Sequence, residues 1–268
     1  MIRIGMSTSS VFPLPLAEAF RIARICGFDG VEVMVTNDRL SQDAATLRAL
    51  SRTYSIPILS IHAPVLLLTQ FVWGTDPRAK LERSADLARA VGAATVVVHP
   101  PFRWQAAYAR QFERIVEQTT DRYDVEIAVE NMFGWSARGR ELRAYSPSAD
   151  PTDLDVRAMT LDFSHAALAG RDSLEFATAM GDRLRHIHLC DGRGGVMFDE
   201  HLAPGRGSQP VGEVLAYLAR TGWSGSVVAE VNTRPAGTLD GRVALLEETL
   251  AFGRAAVSPA RPKVRERS

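Results

Sequence analysis

The sequence predicts a single-domain α/β fold, a (β/α)8 barrel, on three observations. Eight short β-branched runs recur along the chain, helix-like segments alternate with them, and 268 residues is an ordinary length for one barrel of roughly 250 residues. The runs are IRIGM (Ile2–Met6), GVEVMV (Gly30–Val35), PILSIH (Pro57–His62), TVVVH (Thr95–His99), EIAVEN (Glu126–Asn131), MTLDF (Met159–Phe163), RHIHLC (Arg185–Cys190) and SVVAEV (Ser226–Val231). Between the first two, PLAEAFRIARICG repeats apolar residues at spacings of three and four and ends at Gly27, a C′ glycine. LERSADLARAVG (Leu81–Gly92) does the same between the third and fourth. Strand-then-helix units of this size build a parallel barrel. The rival, a doubly wound open sheet, usually carries a Gly-rich fingerprint after its first strand, and GMSTSS is not one.

The barrel is expected over residues 1–257. The stretch from Ser258 to Ser268, SPARPKVRERS, is basic and Pro-containing with little to bury, and is expected to be a disordered tail. Hydrophobic residues are 46% and charged residues 23%, a globular composition. Lys plus Arg and Asp plus Glu are both 31, so no net field favours nucleic acid or an anionic membrane. No apolar run reaches the roughly 18 residues of a span, and no secretory h-region opens the chain. Two cysteines, Cys26 and Cys190, without a CxxC, make a reducing cytoplasm the default.

Active groups of such a barrel stand at the C-terminal strand ends. The third strand ends on His62, the fourth on His99, the fifth on Glu130 and the sixth on Asp162, with His165 three residues on; the seventh reaches His188 and the eighth ends on Glu230. One such residue alone is more often a hydrogen-bonded polar side chain. Six consecutive strands ending this way, on runs as apolar as VVVH and VVAE, point to a divalent metal site on one rim.

The series IHAP (Ile61–Pro64), VVVHP (Val96–Pro100), AVEN (Ala128–Asn131), LDFSHA (Leu161–Ala166), HIHLCD (His186–Asp191) and VAEV (Val228–Val231) resembles the xylose isomerase-like TIM-barrel superfamily, which holds sugar isomerases, sugar epimerases and the AP endonuclease IV family. The resemblance implies two chemistries. In the sugar branch one ion sits on Glu130, Asp162, His188 and Glu230, oxygen-rich ligation suited to Mn2+ or Mg2+ and accepted by Zn2+. Such an ion stabilises an enediolate while Glu130 and Glu230, the catalytic pair, remove and return a proton beside a carbonyl. In the endonuclease branch a trinuclear zinc cluster uses nine residues, and all have counterparts: His62, His99, Glu130, Asp162, His165, His188, Asp199, His201 and Glu230.

His62, His99 and the Asp199-x-His201 pair favour the larger cluster. The HPP of the fourth strand and the APGRG turn after His201 lean toward the sugar branch. Arg with aromatics marks the loops: Trp104 in PPFRWQ, Trp135 and Arg138 in FGWSARGRELRAY, and Arg206 in the APGRG turn. Arg forks and aromatic faces suit an anionic substrate. The expectation is a metal-dependent isomerase or epimerase of a small sugar, sugar phosphate or polyol ketone, holding one to three Zn2+ or Mn2+ ions. The alternative is a multi-zinc phosphoesterase acting on DNA. Glu32 remains open between support of a ligand and an ion pair, and His186 reads as a core residue. The apolar loop with Phe71 and Trp73 is a lid or a homo-oligomer contact.

Overall fold

The computed structural model describes residues 1–65, 69–137, 140–142, 144–194 and 198–258. The tail expected beyond Ser258 lies outside them. Five strands come first: β1 (Arg3–Ser7), β2 (Gly30–Met34), β3 (Ile58–His62), β4 (Thr95–Val98) and β5 (Glu126–Glu130). A small antiparallel pair follows, β6 (Trp135–Ala137) and β7 (Arg140–Leu142), and then β8 (Ala158–Asp162), β9 (Leu184–Leu189) and β10 (Ser226–Ala229). All strands but the β6–β7 pair close into one parallel barrel in the order β1-β10-β9-β8-β5-β4-β3-β2. The eight runs expected from the sequence are these eight barrel strands.

The helices are α1 (Leu16–Cys26), α2 (Ala44–Tyr54), α3 (Pro77–Val91), α4 (Ala106–Ala109), α5 (Phe112–Tyr123), α6 (Phe163–Leu168), α7 (Ser173–Met180), α8 (Val211–Arg220) and α9 (Leu239–Val257). Helix α1 stops where expected. Gly27 has φ +85°, a conformation costly for a side-chain-bearing residue, and its N–H reaches the carbonyls of Ala23 and Arg24. Helix α3 begins four residues before its apolar repeat. Asp76 caps it by accepting from the Arg78 amide, and Pro77 fills a first-turn position that needs no N–H donor.

Strand alternation sorts the side chains. Ile127 and Val129 of β5, and Ile187 and Leu189 of β9, join the apolar layer between barrel and helices. Their neighbours Glu130, His186 and His188 face the barrel interior, where they meet residues from other strands. Phe20, Phe112, Phe163 and Phe176 are fully buried in that outer layer, each contributing about 1.5–3 kcal/mol by burial. Among the described residues no helix is long and apolar enough to cross a membrane.

Candidate metal centre

Local devices position Asp162, His165 and the Asp199–His201 loop. Asp162 closes β8 and is the N-cap of α6, its carboxylate accepting from the His165 amide at 2.7 Å. The D-x-x-H spacing is thus one capped turn, and it aims both side chains at the same space. Asn131 clamps the Asp162 backbone: its Nδ2 donates to the Asp162 carbonyl at 3.0 Å, and its Oδ1 accepts from the Asp162 amide at 2.7 Å. Asp199 and His201 arrive on the long loop after β9. His201 sits at φ +44°, uncommon for a residue with a side chain, with its amide donating to Ser164 Oγ at 3.2 Å and its carbonyl accepting from Asn232 N at 2.8 Å.

All nine expected ligands converge. Around His188 Nδ1 stand Glu130 Oε1 at 3.0 Å, Glu230 Oε2 at 3.0 Å and Asp162 Oδ2 at 3.5 Å. The other Glu130 oxygen, Oε2, lies 3.4 Å from His62 Nε2 and 3.1 Å from His99 Nε2. Asp199 Oδ2 lies 3.0 Å from His165 Nε2 and 2.7 Å from His201 Nε2. Potential ligand atoms within 4.8 Å of one another fall into linked groups: Glu130, Asp162, His188 and Glu230; His62, Glu130 and His188; Glu32, His186 and His188; Asp162, Cys190 and His201; His165, Asp199 and His201. All six histidines of the chain lie in or against this cluster.

The electrostatics say what such a cluster would accept. Burial alone would raise the Glu130 carboxyl, but the neighbouring His188 and His99 hold it well below the usual carboxylate range. Glu230 is likewise penalised by burial and pulled down, mainly by His188, to about 2. Burial disfavours charge on His188, yet Glu230, Glu130 and Glu32 raise it well above the ordinary imidazole value. Against the same burial, Asp162 and Asp199 raise His165, and Asp199 and Asp162 raise His201. His99 is the exception, lowered by its burial. Away from His99, the centre therefore favours positive charge at His188, His165 and His201.

A divalent cation fits this donor set. Glu130 Oε2 is fully buried and takes no hydrogen bond, because the two imidazoles near it are close but misaligned. A buried acceptor left this way costs about 1–3 kcal/mol, and more when charged. Carboxylate oxygens with imidazole nitrogens suit Mn2+, Mg2+ or Zn2+ alike.

Other participants take their place only in the fold, among them Glu32, which the sequence left open. Glu32, fully buried, reaches His188 Nε2 at 3.1 Å and His186 Nε2 at 2.9 Å, and accepts from Ser60 Oγ at 2.7 Å. Ser9, in the loop after β1, donates to Glu230 Oε1 at 2.9 Å. Cys190 Sγ lies 3.6 Å from both Asp162 oxygens, and burial pushes its thiol up to about 12. The AVEN motif is the one visible signal for Asn131; a serine after a strand reads as a turn.

The substrate-binding expectations separate. Trp104 is 60% exposed, stacks on Phe102 at 4.4 Å, and shares the wall of a cavity of about 230 Å³ with His99. Arg138 lies outside the described residues, as does the side chain of Trp135. Arg206 is engaged elsewhere: its exposed guanidinium pairs with Glu248 of α9 at 2.6 Å. The APGRG turn serves a buried carboxylate instead. Asp191 Oδ2 accepts from the amides of Gly205 and Gly207 at 3.0 and 2.9 Å, and Oδ1 from Gly192 and Gln209 at 2.8 and 3.1 Å. A Cβ at Gly207 would collide with that carboxylate, so only glycine lets the chain come this close.

Comparison with known proteins agrees with the fold. The family described as xylose isomerase-like TIM barrel matches residues 20–256. The chain belongs to this family. Within reach of this xylose isomerase-like barrel is an uncharacterized protein of Mycobacterium tuberculosis, 46% identical over 272 residues, covering 94% of this chain and 97% of its own. Fructoselysine 3-epimerase of Escherichia coli O157:H7 is 20% identical over 259 residues, covering 87% of this chain and 91% of its own. The apo crystal structure of 3-keto-D-glucoside 4-epimerase from E. coli superposes with a TM-score of 0.70 at 18% identity, covering 95% of this chain and all of that one. At that identity the match speaks for the fold.

Proposed function

We propose that the chain is a metal-dependent isomerase or epimerase of a small sugar or related polyol ketone. The observation that carries this reading is the convergence of Glu130, Asp162 and Glu230 on His188 Nδ1 within 3.5 Å. When bound there, a divalent cation would draw electron density from neighbouring carbonyl and hydroxyl oxygens of the substrate and so acidify the C–H between them.

The remaining work falls to the protein's side chains. Glu230 is the more exposed of the two catalytic candidates, 7% against 1% for Glu130. Ser9 engages its Oε1, which orients the carboxylate while it takes a proton. Glu130 is hemmed by His62, His99, His165 and His188, so returning a proton from the second face would need one of its oxygens released from that cage. Strands β5 and β10, which carry the pair, are separated in the barrel by β8 and β9. The two carboxylates therefore approach the intervening space from different sides, as inversion at carbon requires. The epimerase names among the relatives support the same substrate class.

A second reading has its own observation. The groups His62–Glu130–His188 and His165–Asp199–His201 could each hold a further ion, with His99 Nε2 3.1 Å from Glu130 beside the first. Several ions on one phosphodiester would mark a multi-zinc phosphoesterase. The two readings part in one experiment: the metal-loaded chain is incubated in D2O with a panel of ketoses and ketose phosphates, and in parallel with an abasic-site oligonucleotide. Deuterium exchange at carbon supports the first reading. Strand cleavage without exchange overturns it.

A further inference from the structure

The strand GVEVM places a carboxylate inside the barrel, where side chains fill the interior and a charge is costly unless paired. Glu32 is fully buried there, with Ser7 of β1 and Ser60 of β3 as its partners in strand register. Its two oxygens have different tasks. Oε2 accepts from Ser60 Oγ at 2.7 Å and stands 2.9 Å from His186 Nε2, which is not aligned to donate. Oε1 makes a hydrogen bond of 3.1 Å with His188 Nε2.

His188 is thus gripped at both nitrogens by acceptors of different kinds. A neutral imidazole has one N–H and one lone pair. Against a single carboxylate at Nε2 and three carboxylates at Nδ1, only one assignment leaves a lone pair toward the three. We infer that Glu32 is a positioning residue of the metal centre: it fixes the proton of His188 on Nε2, so that Nδ1 offers its lone pair to a divalent cation held with Glu130, Asp162 and Glu230. The inference rests on the metal reading above. It gives Glu32 a function beyond lying against His186, because a hydrogen-bonded carboxylate behind a ligating imidazole sets both its tautomer and its orientation. His186, two residues earlier on the same strand face, packs edge-on against His188 with ring centroids 5.2 Å apart and limits its rotation.

The test uses Zn2+ as probe on the full chain. In ¹⁵N-histidine-labelled, zinc-loaded wild type, two-bond proton–nitrogen correlations identify the protonated nitrogen of His188; the proton is expected on Nε2. Chelator competition then gives the affinity for the first equivalent of Zn2+. Glu32→Gln is expected to weaken it about 10–100-fold, the effect typical of losing such a support. Ser60→Ala, which removes a donor to the other oxygen, is expected to change it by about threefold or less. A His188 proton on Nδ1 in the wild type would overturn the inference, even if Glu32→Gln fails to fold. So would zinc binding by Glu32→Gln within about twofold of wild type, or a Ser60→Ala loss as large as that of Glu32→Gln. Wild type that binds no Zn2+ at all would remove the metal reading itself. Unchanged binding in Glu32→Gln would remove the inference alone.

Discussion

Replacing Asp191 by Asn tests how the Asp199–His201 loop is held. The side chain keeps its size, but one of its two oxygens becomes an NH2. Each oxygen accepts two backbone amides, from Gly205 and Gly207 on one side and from Gly192 and Gln209 on the other. Whichever side receives the NH2 loses two charge-assisted hydrogen bonds and sets donors against donors. At about 1.5–3 kcal/mol each, the loss is about 3–6 kcal/mol before relaxation. For a chain near this size 1 kcal/mol moves the melting temperature by about 2–4 °C, so Asp191→Asn should melt at least ~6 °C below wild type. Differential scanning calorimetry measures this directly. Gly207→Ala intrudes on the same cradle, so the double variant should lose less than the sum of the single losses. A drop under about 2 °C for Asp191→Asn would refute the idea that this carboxylate organises the turn.

Three further outcomes follow from the same geometry. Ser9→Ala removes the donor to Glu230 Oε1 and should lower kcat about 3- to 30-fold with KM little changed, read by steady-state kinetics on the identified ketose; an effect on KM alone would count against it. Arg206→Ala should leave activity within about twofold and stability within about 1 kcal/mol, because an exposed ion pair contributes little; a tenfold loss of kcat/KM would return Arg206 to substrate binding. The stability of the metal-free chain should depend on pH, and so should the gain on adding metal. His188, His165 and His201 are raised, so their stabilisation is complete below the ordinary imidazole value of about 6.5 and fades as pH rises through the elevated values. Glu130, Asp199 and Glu230 are depressed, so theirs is present above about 4 and lost in acid, for Glu230 near 2. The chelator-treated chain should therefore melt highest at about pH 4.5–6.5 and lower at pH 8. The shift in melting temperature on adding Zn2+ should grow with pH, since ligating imidazoles must be deprotonated.

The barrel was legible because its strands are β-branched runs flanked by helical repeats, and the nine converging residues because each ligand candidate follows directly on such a run or its loop. What stayed hidden depends on closure. Glu32 and His188 are 156 residues apart, and nothing local says that their strands face one another across the interior. Ser9 and Glu230 are separated by 221 residues for the same reason. Arg206 on its Gly-rich turn reads as an anion fork in the sequence, and its pairing with Glu248, 42 residues on, comes into view only with the fold. The two glycines beside it answered to the buried Asp191 instead. The antiparallel pair β6–β7 was concealed in a stretch whose Arg and aromatic residues read as a loop.

Glu130, Asp162, His188 and Glu230 are proposed to hold a divalent ion. Metal content per chain by plasma mass spectrometry, after dialysis against metal-free buffer, tests it most directly in wild type beside Glu130→Gln. The account predicts about one or more tightly held divalent ions per wild-type chain, and loss of that ion in a folded Glu130→Gln variant. A wild-type chain that retains no divalent ion, or a variant that retains as much as wild type, would contradict it.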